Sequence, residues 1–333
     1  MPNDFVLEVK DLKTSFFVDG VELKAVDGAS FQVRRGRVVA IVGESGCGKS
    51  VSAYSILRLV KPPGRIVGGR ILIHPHSDST IDITALSEDS DKLYALRGGT
   101  VGMIFQEPMT ALSPVHTVGN QLAEAIRLHR RQSTQAIDRE AATLLGKVGI
   151  AAPEQALKKY PHELSGGMRQ RVVIAIALAN SPELVIADEP TTALDVTLQA
   201  QILGLLKSLK REHNLSVLLI THDLGVVAQT ADDIVLMYLG RVVEAGPLRE
   251  VLRNPQHPYT RGLLDSIPSR SERGKPLPSI EGNVPSLKEI PPGCPFHPRC
   301  RYAVPGRCDQ GLPPPTLALN AEHTVACLRM GEL

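Results

Sequence analysis

A chain of 333 residues with 43% hydrophobic residues has room for two domains, or one large domain with an extension, and is too apolar to be disordered throughout. The net charge of +2, the absence of Trp and the lack of a long basic run speak against a nucleic-acid surface, which needs concentrated cations or stacking aromatics. No apolar run approaches the roughly 18 residues that span a bilayer, and Met1-Pro2-Asn3-Asp4 lacks a signal peptide's charged and apolar regions. A cytosolic protein is expected, with any membrane part supplied by other chains.

Residues 5–9 alternate as a half-buried strand does, and Phe16-Phe17-Val18 predicts a second strand. Asp19-Gly20 before Val21-Glu22-Leu23 is a hairpin turn signal. Residues 30–33 followed by Arg35-Gly36 predict another short strand and turn, so an antiparallel sheet should precede the core. An aromatic near a nucleotide can stack on adenine. Phe16 and Phe17 are the candidates, with ordinary core packing as the competing role.

Residues 38–42 are apolar and β-branched, as a buried parallel strand is. Gly43-Glu44-Ser45-Gly46-Cys47-Gly48-Lys49-Ser50 then fits G-x-x-x-x-G-K-[ST], and residues 51–59, free of Gly and Pro, predict a helix. The glycines let backbone N–H groups turn inward on a polyphosphate, and the helix N-terminus adds partial positive charge. Lys49 would reach the β- and γ-phosphates, and the Ser50 hydroxyl would hold Mg²⁺.

Pro62-Pro63-Gly64 stops that helix; a strand pair is expected around residues 68–73 and a polar loop over 74–91. Residues 101–105 predict a buried strand ending at Gln106, which could contact Mg²⁺ or the attacking water, with an ordinary loop glutamine as the competing role. Residues 117–149 read as largely helical, in two amphipathic segments at 120–129 and 135–148, which suggests an inserted helical subdomain. Ser165 is a plausible N-cap, and Gly166 and Gly167 allow an anion close to the helix amides that follow. A second phosphate cradle so far from the first suggests a dimer, each nucleotide lying between one subunit's glycine loop and the other's Ser-Gly-Gly turn. Residues 184–187 form a buried strand delivering Asp188-Glu189, two carboxylates costly to desolvate without a cation. Asp188 would hold Mg²⁺ and Glu189 would act as general base. A helix over 196–210 and a strand over 215–220 lead to His222, which could contact a γ-phosphate, a structural histidine being the commoner role for one standing alone.

Taken in order, Gly43 to Ser50, Gln106, Leu164-Ser165-Gly166-Gly167-Met168, the strand ending in Asp188-Glu189, Ala193-Leu194-Asp195 and His222 resemble the full motif set of an ABC-transporter ATPase subunit, over roughly residues 5–260. The resemblance implies an α/β fold: a P-loop NTPase (RecA-like) core with an antiparallel β subdomain and a helical subdomain at about 107–180. It implies that ATP is bound by Phe16, Gly43, Ser45, Gly46, Cys47, Gly48, Lys49, Ser50 and Val51. It assigns Mg²⁺ to Ser50, Gln106 and Asp188, catalysis to Glu189, His222 and Gln106, and completion of the opposite subunit's site to Ser165, Gly166 and Gly167.

Glu107-Pro108-Met109-Thr110-Ala111-Leu112-Ser113-Pro114 and Asn254-Pro255-Gln256-His257-Pro258-Tyr259-Thr260 resemble the oligopeptide/dipeptide/nickel permease branch. The composition shifts from about residue 261 to Pro, Ser, Gly and charge, so an ATPase domain over 1–260 and an extension over 261–333 are expected. The extension holds Cys294, Cys300, Cys308 and Cys327, four of the five cysteines. Four clustered thiols in a cytosolic chain suggest a metal, either tetrahedral Zn²⁺ or an iron–sulfur cluster, and their spacing fits neither common pattern; unligated buried thiols are the third possibility. The resemblance of the tail to those of the permease ATPases implies a [4Fe–4S] cluster, structural or redox-sensing.

The function implied is the ATP-hydrolysing motor of an importer for di- and oligopeptides, peripheral on the cytoplasmic face of the inner membrane. Its partners would be a second, related ABC ATPase subunit, two transmembrane permease subunits and an extracytoplasmic peptide-binding protein, with no nucleic acid. The rivals are an importer of nickel or another small solute, and a soluble ABC ATPase outside transport. Against the last stand the single ATPase unit and the lack of a long coiled-coil insertion.

Overall fold

The computed structural model describes residues 4–76, 79–192, 195–267 and 279–332. The chain opens with β1 (Phe5–Val18) and β2 (Val21–Arg34), paired antiparallel through Asp19 and Gly20, both at positive φ (51° and 78°) as a tight two-residue hairpin turn requires. The two short strands expected at 5–9 and 16–18 are one strand of 14 residues. The polar Lys10-Asp11 between them is a bulge, where the register shifts between Val9 and Leu12 and Asp11 takes φ 47°. A bulge keeps the strand paired while breaking the two-residue alternation, so a pattern search sees an interruption.

β3 (Val38–Val42) leads into α1 (Lys49–Ile56), and β4 (Gly64–Ile73) returns to pair with the other edge of β1. β4 is a single strand where a pair was expected, and its second partner is β5 (Ile81–Asp82), inside the stretch expected to be loop. Ile81 and Ile83 are buried there, too few apolar positions to show a period. The antiparallel sheet runs β2-β1-β4-β5.

After α2 (Asp91–Leu96) come β6 (Val101–Ile104), α3 (Pro108–Ala111), α4 (Val118–Arg127), α5 (Thr134–Lys147), α6 (Pro153–Ala156), α7 (Gly166–Leu178) and β7 (Leu184–Asp188). α8 (Val196–His213), β8 (Ser216–Thr221), α9 (Leu224–Thr230), β9 (Asp233–Tyr238), β10 (Arg241–Pro247), α10 (Leu248–Arg253) and α11 (Pro258–Asp265) complete the body; β11 (Leu317–Ala318) and β12 (Thr324–Val325) belong to the tail. α4 and α5 bury Val118, Leu122, Ala123 and Ile126, and Ile137, Ala141 and Leu145, at three- and four-residue spacing against α7. Thr117, Ser133 and Ser165 cap α4, α5 and α7, each side chain accepting an N–H of the first turn.

The second sheet has eight strands in the order β11-β12-β10-β9-β3-β8-β7-β6. β9, β3, β8, β7 and β6 are parallel, and every residue of β3, β6, β7 and β8 is buried, which is why each appears in sequence as a largely apolar run. The carboxyl ends of these strands deliver the glycine loop (β3), Gln106 (β6), Asp188-Glu189 (β7) and His222 (β8) to one edge of the sheet, where open α/β sheets bind ligands. Among the described residues no helix is long and apolar enough to cross a membrane.

The tail is tied into this sheet. β12 pairs with β10, and Glu244 of β10, fully buried, accepts the N–H groups of Gln256 and His257 (2.9 Å each) and lies 2.8 Å from His323 Nε2. Glu244→Ala strips an acceptor from all three donors and should lower the unfolding free energy by about 3 kcal/mol, read as a lower urea midpoint at an unchanged slope.

Candidate active site

The loop after β3 is shaped by backbone demands that only glycine meets. Gly46 and Gly48 sit at φ 79° and 95°, and a Cβ at Gly48 would stand 2.3 Å from the Ala25 carbonyl oxygen. A Cβ at Gly43 would lie 2.3 Å from the Met237 carbonyl oxygen, so the loop presses directly on the strand beside it. Ser45 and Gly46 are exposed at the tip, while Cys47 is buried, its thiol pushed up chiefly by that burial. Val51 packs into the core beneath the loop. Lys49 is 5% exposed, and its ammonium folds back to donate to the Gly43 (2.8 Å) and Glu44 (3.1 Å) carbonyl oxygens.

Ser50 Oγ donates to Asp188 Oδ1 at 2.9 Å, which joins the start of α1 to the end of β7. Asp188 is fully buried, and its other oxygen, Oδ2, has no hydrogen-bond partner. Burial, and after it the neighbouring Glu189 carboxylate, raise the Asp188 pKa, against the Ser50 hydrogen bond and the Lys49 charge. A buried carboxylate oxygen left unsatisfied beside a serine hydroxyl fits a hard cation such as Mg²⁺.

Glu189 leaves the strand in the left-handed region (φ 45°), its N–H held by the Ile220 carbonyl at 2.9 Å. Its carboxylate accepts from Gln106 Nε2 (3.3 Å) and Thr192 Oγ1 (2.8 Å) and lies 3.3 Å from His222 Nδ1. The structure thus gathers Gln106, Glu189 and His222 from the ends of three strands. Gln106 engages Glu189 here and makes no hydrogen bond to Asp188 or Ser50 among the described residues. Thr192 was missed by the sequence reasoning. Its one signal is the spacing of three from Glu189, which the turn closes with a Thr192 N–H to Glu189 carbonyl bond of 3.1 Å.

Phe16 is half-buried, and its ring lies against Gly64 of β4, where a Cβ would stand 2.6 Å from Cε1. Two residues earlier, Thr14 Oγ1 lies 2.8 Å from Ser55 Oγ of α1, so this part of β1 runs beside the helix that follows the glycine loop. Phe17 is more exposed and stacks under the Arg65 guanidinium, 4.3 Å from its ring centre. Ser165 and Gly166 are exposed at the start of α7 and Gly167 is buried against Leu198. Among the described residues no hydrogen bond links this turn to the glycine loop of the same chain. Ala193 and Leu194 lie outside the described residues; Asp195 caps α8 through the Leu198 N–H.

Cys294, Cys300, Cys308 and Cys327 line one small cavity, together with His257. The sulfurs of Cys294, Cys300 and Cys327 each accept the backbone N–H two residues on, from Phe296, Tyr302 and Arg329, and Cys308 Sγ accepts from Val304 N–H at 3.4 Å. Burial foremost, then the other three sulfurs, push the Cys294 thiol up to about 12. His257 is 1% exposed, its Nδ1 accepts the Tyr259 N–H, and its Nε2 is buried without a partner; burial pushes its pKa down to about 3, so the ring is neutral. As they stand, no three or more His, Cys, Asp or Glu side chains among the described residues are arranged to hold a metal ion.

Residues 26–192 match the family model described as ABC transporter, and residues 243–308 match that described as oligopeptide/dipeptide transporter, C-terminal region. A putative peptide import ATP-binding protein of Brucella melitensis biotype 1 is 47% identical over 98% of each chain. The dipeptide transport ATP-binding protein DppD of Bacillus subtilis is 48% identical, over 97% of this chain and 94% of that one. Among solved structures, the ATP-binding cassette MJ0796, in a dimeric post-hydrolysis state bound to ADP and Pi, superposes with a TM-score of 0.64 at 30% identity, covering 73% of this chain and 99% of that one.

The glycine geometry yields a contrast. Gly48→Ala should cost about 1–3 kcal/mol and abolish nucleotide binding, whereas Gly166→Ala, with open space around it at a helix start, should leave thermal unfolding unchanged or slightly raised.

Proposed function

The chain belongs to the ABC transporter family, and from that premise we propose that it is the ATP-hydrolysing subunit of a membrane importer of di- and oligopeptides. Supporting the cargo are its near full-length similarity to proteins named for peptide and dipeptide transport and its match to the oligopeptide/dipeptide C-terminal region. The observation that carries the hydrolysis is the Glu189 carboxylate, held from three sides beside the Ser50–Asp188 pair.

In this reading Phe16 stacks on adenine and the loop from Gly43 to Ser50, with Val51 behind it, surrounds the triphosphate. Lys49 exchanges its two carbonyl acceptors for phosphate oxygens, a swap from neutral to charged acceptors that favours the bound state. Ser50 and the free oxygen of Asp188 hold Mg²⁺, which when bound offsets phosphate charge. Glu189 takes a proton from the attacking water, Gln106 orients that water, and His222 contacts the γ-phosphate and fixes the Glu189 carboxylate. Ser165, Gly166 and Gly167 supply amides to the γ-phosphate of a second, related ABC subunit, so ATP favours the closed pair and hydrolysis releases it. Two transmembrane permease subunits would receive this motion at the helical subdomain around α4 to α7, on the cytoplasmic face of the membrane, and an extracytoplasmic binding protein would deliver peptide.

The cysteine cavity is read as the site of a [4Fe–4S] cluster. As they stand the four sulfurs are not gathered to hold a metal, and what supports the reading is that all four line one cavity, each accepting a backbone N–H, with the neutral His257, its Nδ1 occupied as an acceptor, presenting an Nε2–H to the same space. When bound, the cluster supplies a cross-link for a segment poor in apolar side chains.

Two measurements test these assignments. Glu189→Gln should keep MgATP binding and ATP-dependent pairing on size exclusion while turnover falls by roughly 10²–10⁴; near-normal turnover would remove Glu189 from its role. Anaerobically purified protein should carry about four iron and four sulfide per chain, and stoichiometric zinc in their place would reverse the assignment.

A further inference from the structure

The segment carrying the cysteines reaches back to the glycine loop. Arg299, the residue before Cys300, sends a bidentate pair of hydrogen bonds to the carboxylate of Glu44, Nη1 to Oε2 at 2.7 Å and Nη2 to Oε1 at 3.0 Å, across 255 positions of sequence. The Arg299 side chain is 5% exposed. Its Nε donates to the Glu281 carbonyl (3.1 Å), Nη1 also reaches Tyr238 Oη (3.4 Å), and the guanidinium lies 5.9 Å from the Tyr238 ring centre. The Glu44 N–H donates to Tyr259 Oη at 3.0 Å, and the Glu44 carbonyl accepts from Lys49 Nζ at 3.1 Å. Phe296 packs on Tyr238 and Tyr259 beneath this set, with ring centres 5.2 and 5.4 Å away.

We propose that Arg299 is a positioning residue for the phosphate loop, through which the C-terminal segment sets the affinity for MgATP. Glu44 is the second residue of the loop, next to Gly43 and the exposed Ser45, so its carboxylate is a negative charge carried on the same loop that a triphosphate must approach. Unpaired, it repels the nucleotide and is free to draw the Lys49 ammonium toward itself. Paired with a buried guanidinium it is neutralised and held to one side, because Arg binds a carboxylate in a rigid two-pronged geometry. Cys300, next to Arg299 and facing the cysteine cavity, couples the order of that cavity to the loop.

The proposal rests on residues 43–50 being the triphosphate cradle, and the test separates the two. MgATP affinity is measured by titration calorimetry on the full chain for the wild type, Arg299→Ala, Arg299→Lys and the double variant Arg299→Ala with Glu44→Gln. Arg299→Ala should weaken binding about tenfold, more at low ionic strength than at high. Removing the stranded charge in the double variant should bring affinity back to within about threefold of wild type, and Arg299→Lys should fall between. Unchanged affinity in Arg299→Ala overturns the proposal. So does a loss that Glu44→Gln fails to repair, since a tail merely loosened by the substitution would weaken binding whatever the charge at position 44. A wild-type chain that binds no MgATP would sink the cradle itself along with the proposal.

Discussion

A carboxylate sealed from water at the end of a buried strand, one oxygen bonded and the other not, is the group on which the site turns. Asp188 keeps its charge only against the cost of burial, and the Ser50 hydroxyl and the nearby Lys49 ammonium offset part of that cost. The imbalance leaves the site poised for a cation.

Rigidity around that group comes from backbone contacts more than from side chains. The glycine loop is pressed against Ala25 and Met237, so its shape is set by strands on both sides. Glu189 is turned into a left-handed conformation and anchored by its own N–H, which aims its carboxylate across toward Gln106, Thr192 and His222. Strain of this kind persists only where neighbours over-determine it, and here the neighbours are the ends of adjacent parallel strands.

Much of this was legible in the sequence because the information is local. Buried parallel strands write themselves as apolar runs, and the residue that follows each run is the one at the sheet's edge, so Asp188 and Glu189 stood out by position, whereas Gln106 and His222 needed the rest of the motif set beside them. Ser165 was legible as a cap because its oxygen serves an amide only three residues away. The failures share a different cause. The Asp11 bulge interrupts alternation without ending a strand, and β5 is two residues whose partner is the far end of β4. Thr192 was passed over because a hydroxyl's role depends on the turn beneath it. The ion pair of Glu44 with Arg299, and the bonds of Glu244 to residues 256, 257 and 323, join positions that no spacing rule connects.

The last strands of the chain carry a consequence of their own. β10 would otherwise end the large sheet with an open row of amides and carbonyls, a template on which a neighbouring molecule could build. β12 covers part of that row, and β11, only two residues long with Leu317 and Ala318 both turned to solvent, then closes the sheet with a margin too short for further growth. The tail is therefore also a guard rail: losing it would turn this flank of the chain into a sticky ledge, and the damage would be read in precipitation before it was read in transport.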